Sequence, residues 1–155
     1  MLVKVFVAAI TLVSAVTGSC AAPPPAPTLS FLYSLNLTNG AEYAIGATPQ
    51  GFRTVQPIVG GAFSGPKMKG NVTTGIDYGV VDSNNTFHPK AVYVLETVEG
   101  DTILVTESGR APNINVIFDT ASTKYGWLNK AVGYATGGLV DGVVSLNVWQ
   151  ITPPS

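Results

Sequence analysis

Ala91-Val92-Tyr93-Val94-Leu95-Glu96-Thr97, then Glu99-Gly100-Asp101, then Thr102-Ile103-Leu104-Val105-Thr106-Glu107: two runs rich in β-branched and aromatic residues flank a tight turn. This stretch decides the fold class. Val, Ile, Thr and Tyr fit a pleated surface, whereas Gly and Asp accept the positive φ of a hairpin turn. The same arrangement repeats in both directions. Strands are expected near Phe31–Leu37, Glu42–Ala47, Phe52–Val59, Lys67–Thr74 and Ile76–Val81, and again near Asn115–Phe118, Lys130–Ala135 and Val143–Gln150. Thr38-Asn39-Gly40, Asp82-Ser83-Asn84-Asn85, Gly137-Gly138 and Asp141-Gly142 mark turns between them. No segment carries a helical stripe; Asp119–Lys130 has room for one short turn. Regularly spaced short strands predict an all-β domain, an antiparallel barrel of about 8–10 strands. Closure is favoured because a chain so poor in charge would otherwise expose aggregation-prone edges.

The ends of the chain read differently. Lys4 precedes an apolar run, Val5 to Val16, and the small residues Thr17-Gly18-Ser19-Cys20-Ala21 follow. The run is too short to span a membrane, and the pattern fits a secretory signal over residues 1–21, cleaved after Ala21. An alternative makes Cys20 a lipoprotein anchor, although Thr17 stands where a large aliphatic residue is usual. Ala22-Pro23-Pro24-Pro25-Ala26-Pro27 is an extended leader that cannot join a sheet, and the barrel domain is assigned to residues 28–155. Three triplets, Asn36-Leu37-Thr38, Asn71-Val72-Thr73 and Asn84-Asn85-Thr86, are N-glycosylation acceptors. Behind a signal they predict a secreted, extracellular glycoprotein. If Asn36 faces solvent, alternation turns Phe31, Tyr33, Leu35 and Leu37 inward. The same logic at Asn71 turns Met68, Val72 and Thr74 inward.

Composition excludes much. The 155 residues hold 8 basic and 9 acidic side chains, one His and one Cys. A net charge of −1 offers no basic footprint for nucleic acid. The usual Cys/His zinc site, an intrachain disulfide, a G-x-G-x-x-G loop, a P-loop and a G-x-S-x-G elbow are all absent from the sequence. No cofactor and no metal are therefore expected. The mature chain after residue 21 loses Lys4 and Cys20, leaving 7 basic and 9 acidic residues and no thiol.

Candidate chemistry comes from a short inventory. Asp77, inside a strand-like run, and Glu96 are carboxyls that an apolar interior would make proton shuttles. His88 is the one group titrating near neutrality unperturbed, though its Pro neighbour suggests an exposed turn. Arg53 could clamp a carboxylate or phenolate at a barrel mouth. Tyr78, Tyr93, Tyr125 and Trp127 could line a pocket. The run 91–97 is apolar on both faces, which fits a dimer contact, so a homodimer is a candidate assembly.

The string Pro57-Ile58-Val59-Gly60-Gly61-Ala62-Phe63-Ser64-Gly65-Pro66 continues into Lys67-Met68-Lys69-Gly70 and then Gly75-Ile76-Asp77-Tyr78. With Tyr93–Thr97, Glu99–Ile103 and Tyr125-Gly126-Trp127-Leu128-Asn129, it resembles the "domain of unknown function 3237" family over roughly residues 28–151. The resemblance implies an antiparallel β-barrel and no settled activity. The chain departs from the family's usual Asp-Trp at Asp77-Tyr78, and from its frequent Arg-Tyr at Val92-Tyr93. Three readings stay open: a barrel that binds a small hydrophobic molecule, a cofactor-independent isomerase, cyclase or lyase using carboxyl and Tyr groups, and a filled structural or cell-surface glycoprotein. None needs stable insertion into a membrane.

Overall fold

The computed structural model describes residues 22–154; the segment 1–21 read as a secretory signal, with Lys4 and Cys20, lies outside the described residues. Eleven strands follow the leader: β1 (Thr28–Asn39), β2 (Tyr43–Thr48), β3 (Gly51–Ser64), β4 (Lys69–Asp77), β5 (Val80–Val81), β6 (Phe87–His88), β7 (Lys90–Thr97), β8 (Thr102–Arg110), β9 (Asn113–Asp119), β10 (Val132–Val140) and β11 (Val143–Thr152). A 3-10 helix, Gly126–Lys130, is the single turn in the 119–130 segment. Eight of the strands close an antiparallel barrel in the order β1-β11-β10-β9-β8-β7-β4-β3, with β3 returning to β1. The remaining three form a small outlying sheet. In it the first half of β3 pairs with β2 on one edge and with β5 on the other, and β5 pairs with β6.

The interior is packed with alternating side chains of every stave, among them Leu35, Phe63, Val72, Leu95, Ile103, Val105, Val116, Phe118, Ala135 and Val148. Burying each Leu, Ile, Val or Phe contributes about 1.5–3 kcal/mol, so these positions dominate stability. The helix residue Leu128 and the ring of Tyr125 plug one end. The other end stays open.

Closure falls on the glycine-rich string. Gly61 pairs with Leu37 across the β1–β3 seam, at φ +145. A Cβ there would lie 2.2 Å from the Asn36 carbonyl oxygen, and one on Gly65 would lie 1.8 Å from that of Leu32. The string is glycine-rich because two backbones touch along the line where the sheet meets itself.

Two irregularities correct the alternation expected from the sequons. Between Phe31 and Tyr33 the β1–β11 register shifts, so Leu32 and Tyr33 are both buried while Phe31 is turned out. Between Val72 and Thr74 the β4–β7 register shifts again. Thr74 therefore faces solvent, not the core, and Asp77 faces the interior. Each is a β-bulge, where one extra residue reverses the facing of everything beyond it. The expected strand 76–81 is also broken. The Asp77 carboxylate takes the Gly79 amide at 2.9 Å, which ends β4 and starts the short β5 in a new direction. Gly137-Gly138 is not a turn but part of β10: Gly137 sits where a Cβ would meet the Ser145 carbonyl at 2.1 Å. The hairpin bends at Asp141-Gly142, whose φ values of 49° and 81° are both positive.

Candidate active site

A cavity of about 180 Å³ occupies the open end of the barrel. Its walls are mostly apolar: Leu37, Ile58, Phe87, Ile114, Leu139 and Leu146 among others. Four polar side chains enter it, Asn39, Gln56, Asp77 and Glu107. Strand register explains three of them. Gln56 pairs with Asp77, Asp77 with Ala91, and Ala91 with Glu107, so one row crosses β3, β4, β7 and β8. The two carboxyls stand two strand spacings apart, about 9–10 Å at the backbone. The small Ala91 between them leaves room for a ligand.

The two carboxyls differ in their surroundings. Asp77 Oδ1 accepts the backbone N–H groups of Gly79 at 2.9 Å and Lys90 at 3.1 Å. Burial raises its pKa, and these two amides hold it down. Glu107 is 3% exposed, the one buried charged residue among the described residues. Burial pushes its carboxyl up to about 7; the Tyr93 hydroxyl opposes the shift and the charge of Asp77 adds to it. That hydroxyl donates to Glu107 Oε1 at 2.6 Å. The arrangement sets a carboxyl that accepts two backbone N–H groups beside one that burial inclines to hold a proton near neutrality, in a mostly apolar site. Environments that separate two carboxyls in this way let one act as acid and the other as base.

Most other candidates from sequence lie elsewhere. Glu96 is exposed on the outer face of β7 and does not reach the cavity. Both faces of β7 are apolar, and its register with β4 and β8 puts Tyr93 and Leu95 inside, which leaves Glu96 outside. Arg53, Tyr78 and His88 do come together, but in a separate groove of about 450 Å³ on the outer side of the same strands. There Arg53 Nη1 donates to the Tyr78 carbonyl at 2.6 Å, and His88 Nε2 lies 2.8 Å from Asp82 Oδ2. Tyr78, His88 and Lys90 point out because their chain neighbours Asp77, Pro89 and Ala91 point in. Tyr125 and Trp127 sit at the plugged end: the Tyr125 hydroxyl donates to Glu99 at 3.2 Å, and Lys67 Nζ lies 5.4 Å from the Trp127 ring centre. Neither lines the cavity. Val92 is on the outer face, so an arginine at that position would not enter the cavity either. Glu107 escaped the sequence reading, although it shares the parity of the buried Ile103 and Val105. The outward Leu104 masks that signal.

Likeness to known proteins agrees with the barrel fold. The family "Protein of unknown function (DUF3237)" matches residues 27–114. The chain belongs to that family. The string at 125–129 lies beyond the matched segment, but full-length relatives extend the likeness. The hydroalkoxylation enzyme phnH of Penicillium herquei is 36% identical over 137 residues, covering 88% of this chain and 91% of that protein. A crystal structure of an enzyme from the same fungus superimposes with a TM-score of 0.78 at 35% identity, over 84% of this chain and 98% of that one. A β-barrel-like protein from Acinetobacter baumannii AYE gives the same score at 26% identity, over 84% of this chain and 99% of that one. The DUF3237 barrel is thus shared with at least one protein known by an enzymatic activity.

Proposed function

We infer that the chain is a cofactor-independent enzyme that closes a ring in a small hydrophobic, aromatic metabolite by adding a hydroxyl group across a carbon–carbon double bond. The carrying observation is the pair Asp77 and Glu107 facing one apolar cavity, both raised by burial but held by different partners, two backbone N–H groups for Asp77 and the Tyr93 hydroxyl for Glu107. The likeness to phnH supplies the reaction class. The cavity is close in size to one aromatic ring, since an engineered cavity of about 150 Å³ admits benzene. Both reacting groups therefore belong to a single molecule, and holding them together removes much of the entropic barrier.

Glu107, protonated, gives its proton to one alkene carbon. The substrate hydroxyl oxygen bonds to the other carbon, and Asp77 takes the proton that this oxygen releases. The O–H bond and the π bond break; C–H and C–O bonds form; nothing is oxidised or reduced. A proton passing from Asp77 to Glu107 restores the site. The Gln56 side chain, anchored by its Nε2 to the Gly40 carbonyl at 2.6 Å, offers its oxygen to the substrate.

The test is conversion of a 2-alkenylphenol to its cyclic ether by the purified protein, followed against pH. Because the acid must be protonated, kcat/KM is expected to fall as pH rises through about 7. Binding of the phenol with no conversion at any pH would sink the catalytic reading and leave a binding barrel. A filled structural barrel would bind nothing.

Secretion and glycosylation belong to the same proposal. Asn36, Asn71 and Asn84 are all exposed, as acceptors must be. Protein secreted by a eukaryotic host is expected to begin at Ala22 and to lose mass on treatment with an N-glycosidase. Retention of residues 1–21, or a mass unchanged by the glycosidase, would refute the secretory glycoprotein.

A further inference from the structure

Beneath the cavity the interior holds two buried tyrosine hydroxyls, one bonded to Glu107 and one without a partner. Tyr33 on β1 and Tyr93 on β7 are each essentially unexposed, yet their strands are not neighbours in the barrel. Their side chains meet across the lumen. Gly75 faces Tyr93 across the β4–β7 pair and leaves room for it: a Cβ there would lie 2.4 Å from the Tyr93 Cβ. The Tyr33 ring is fixed edge-on against Phe63 and Phe118, with centroids 5.5 Å and 6.5 Å away. The Tyr93 hydroxyl donates a hydrogen bond to Glu107 Oε1 at 2.6 Å. The Tyr33 hydroxyl lies near enough to Tyr93 to affect its ionisation, but no acceptor completes a bond to it. Burying an unsatisfied hydroxyl is costly, and phenylalanine would fill either place.

We propose that Tyr93 and Tyr33 form a buried hydroxyl chain that holds Glu107 in one orientation and stabilises the carboxylate left when Glu107 gives up its proton. The inference rests on the acid–base reading above. With Oε1 occupied by Tyr93, the transferable proton of Glu107 sits on Oε2. After transfer the Tyr93–Glu107 hydrogen bond becomes charge-assisted and strengthens. The Tyr33 hydroxyl then has a use, donating to the Tyr93 oxygen as that oxygen becomes a better acceptor. Both tyrosines keep their own protons, because burial and the nearby Glu107 charge hold them well above the ordinary range. The titratable groups facing Glu107 from the packed strands are Tyr93, Tyr33 and Asp77. Tyr93 and Tyr33 are positioning residues in this scheme, since neither lines the cavity.

The test needs no substrate. Difference infrared spectroscopy follows the carbonyl stretch of the protonated Glu107 carboxyl against pH, assigned by its loss in Glu107→Gln. Tyr93→Phe is expected to move that titration upward by about one to two pH units, the size expected of one hydrogen bond to a charged group. Tyr33→Phe moves it the same way by less. Tyr125→Phe, which removes a hydroxyl at the plugged end, leaves it in place. With the cyclising substrate, Tyr93→Phe lowers kcat about tenfold or more at unchanged KM. A folded Tyr93→Phe protein whose Glu107 titration does not move overturns the hydroxyl chain. Absence of cyclisation in a wild-type protein with the expected titration shifts overturns the reaction assignment alone.

Discussion

Glu107→Gln is expected to lower kcat by a factor of about a hundred to ten thousand, the range for loss of a positioned general acid, while the barrel stays folded. Glutamine keeps the shape and keeps an oxygen to accept the Tyr93 proton, but it carries no proton to give. The same variant separates catalysis from stability. Glu107 has a carboxyl raised to about 7 in the folded barrel, against an unfolded value near 4.5. A group raised on folding contributes its full share of stability below its unfolded pKa and loses that share as pH rises through its folded pKa. The wild-type protein should therefore lose about 3 kcal/mol from this residue between pH 4.5 and 7, spread almost evenly over that window and complete once the folded carboxyl has ionised. Asp77, also raised, acts in the same direction. Asp82 and Glu99 act oppositely. His88 and Lys124 respectively hold their carboxylates below the usual range, so their contribution disappears only in more acidic solution. Urea titrations of the two proteins at acidic and alkaline pH check this: Glu107→Gln should flatten the loss toward neutrality and equal or exceed wild type at alkaline pH. An active Glu107→Gln protein removes Glu107 from the chemistry. A wild-type barrel that grows more stable toward alkaline pH refutes its buried, raised carboxyl.

Gly61→Ala is expected to destabilise the barrel by about 3 kcal/mol or more, combining a strained backbone with overpacking at the seam. The added methyl would need to sit 2.2 Å from the Asn36 carbonyl oxygen, at a φ of +145. Backbone cannot yield there without parting β1 from β3, and that pairing is what closes the barrel. The neighbouring Gly60→Ala is the control: its nearest contact would be 3.9 Å away and its φ lies outside the left-handed region. It should change stability by less than about 1 kcal/mol. Thermal unfolding followed by circular dichroism distinguishes the two, with a fall of about 10 °C or more expected for Gly61→Ala alone. Equal, small effects at both positions would show that the glycine-rich string does not form a strained seam.

The site was half legible. Asp77 stood out as a carboxyl in an apolar run, but the same run read with unbroken alternation turns it outward and Thr74 inward. Glu96 and Glu107 each sit near one end of a strand with apolar residues on both faces, so neither could be placed by parity alone. The outlying β2-β3-β5-β6 sheet was invisible as a unit, because β3 is one continuous strand that changes partners halfway along.

By itself the sequence determined the β class, nearly every strand, most of the hairpin turns, and the absence of the usual metal-binding and nucleotide-binding motifs. Those properties are local. Period-two alternation, β-branched side chains and the φ freedom of Asn, Asp and Gly act within a few residues of one another. The tertiary structure alone decided how many strands close the barrel, which end is plugged, and which carboxyls meet. Closure pairs β1 with β3 across an intervening strand. Two bulges reverse the facing of Phe31 and of Thr74 through Asp77. Tyr93 and Glu107 meet across one hairpin, and Tyr33 reaches them because a strand remote in sequence shares the lumen. A bulge is fixed by the register of a partner strand elsewhere in the chain, and a single extra residue is enough to send a carboxyl from solvent to the cavity.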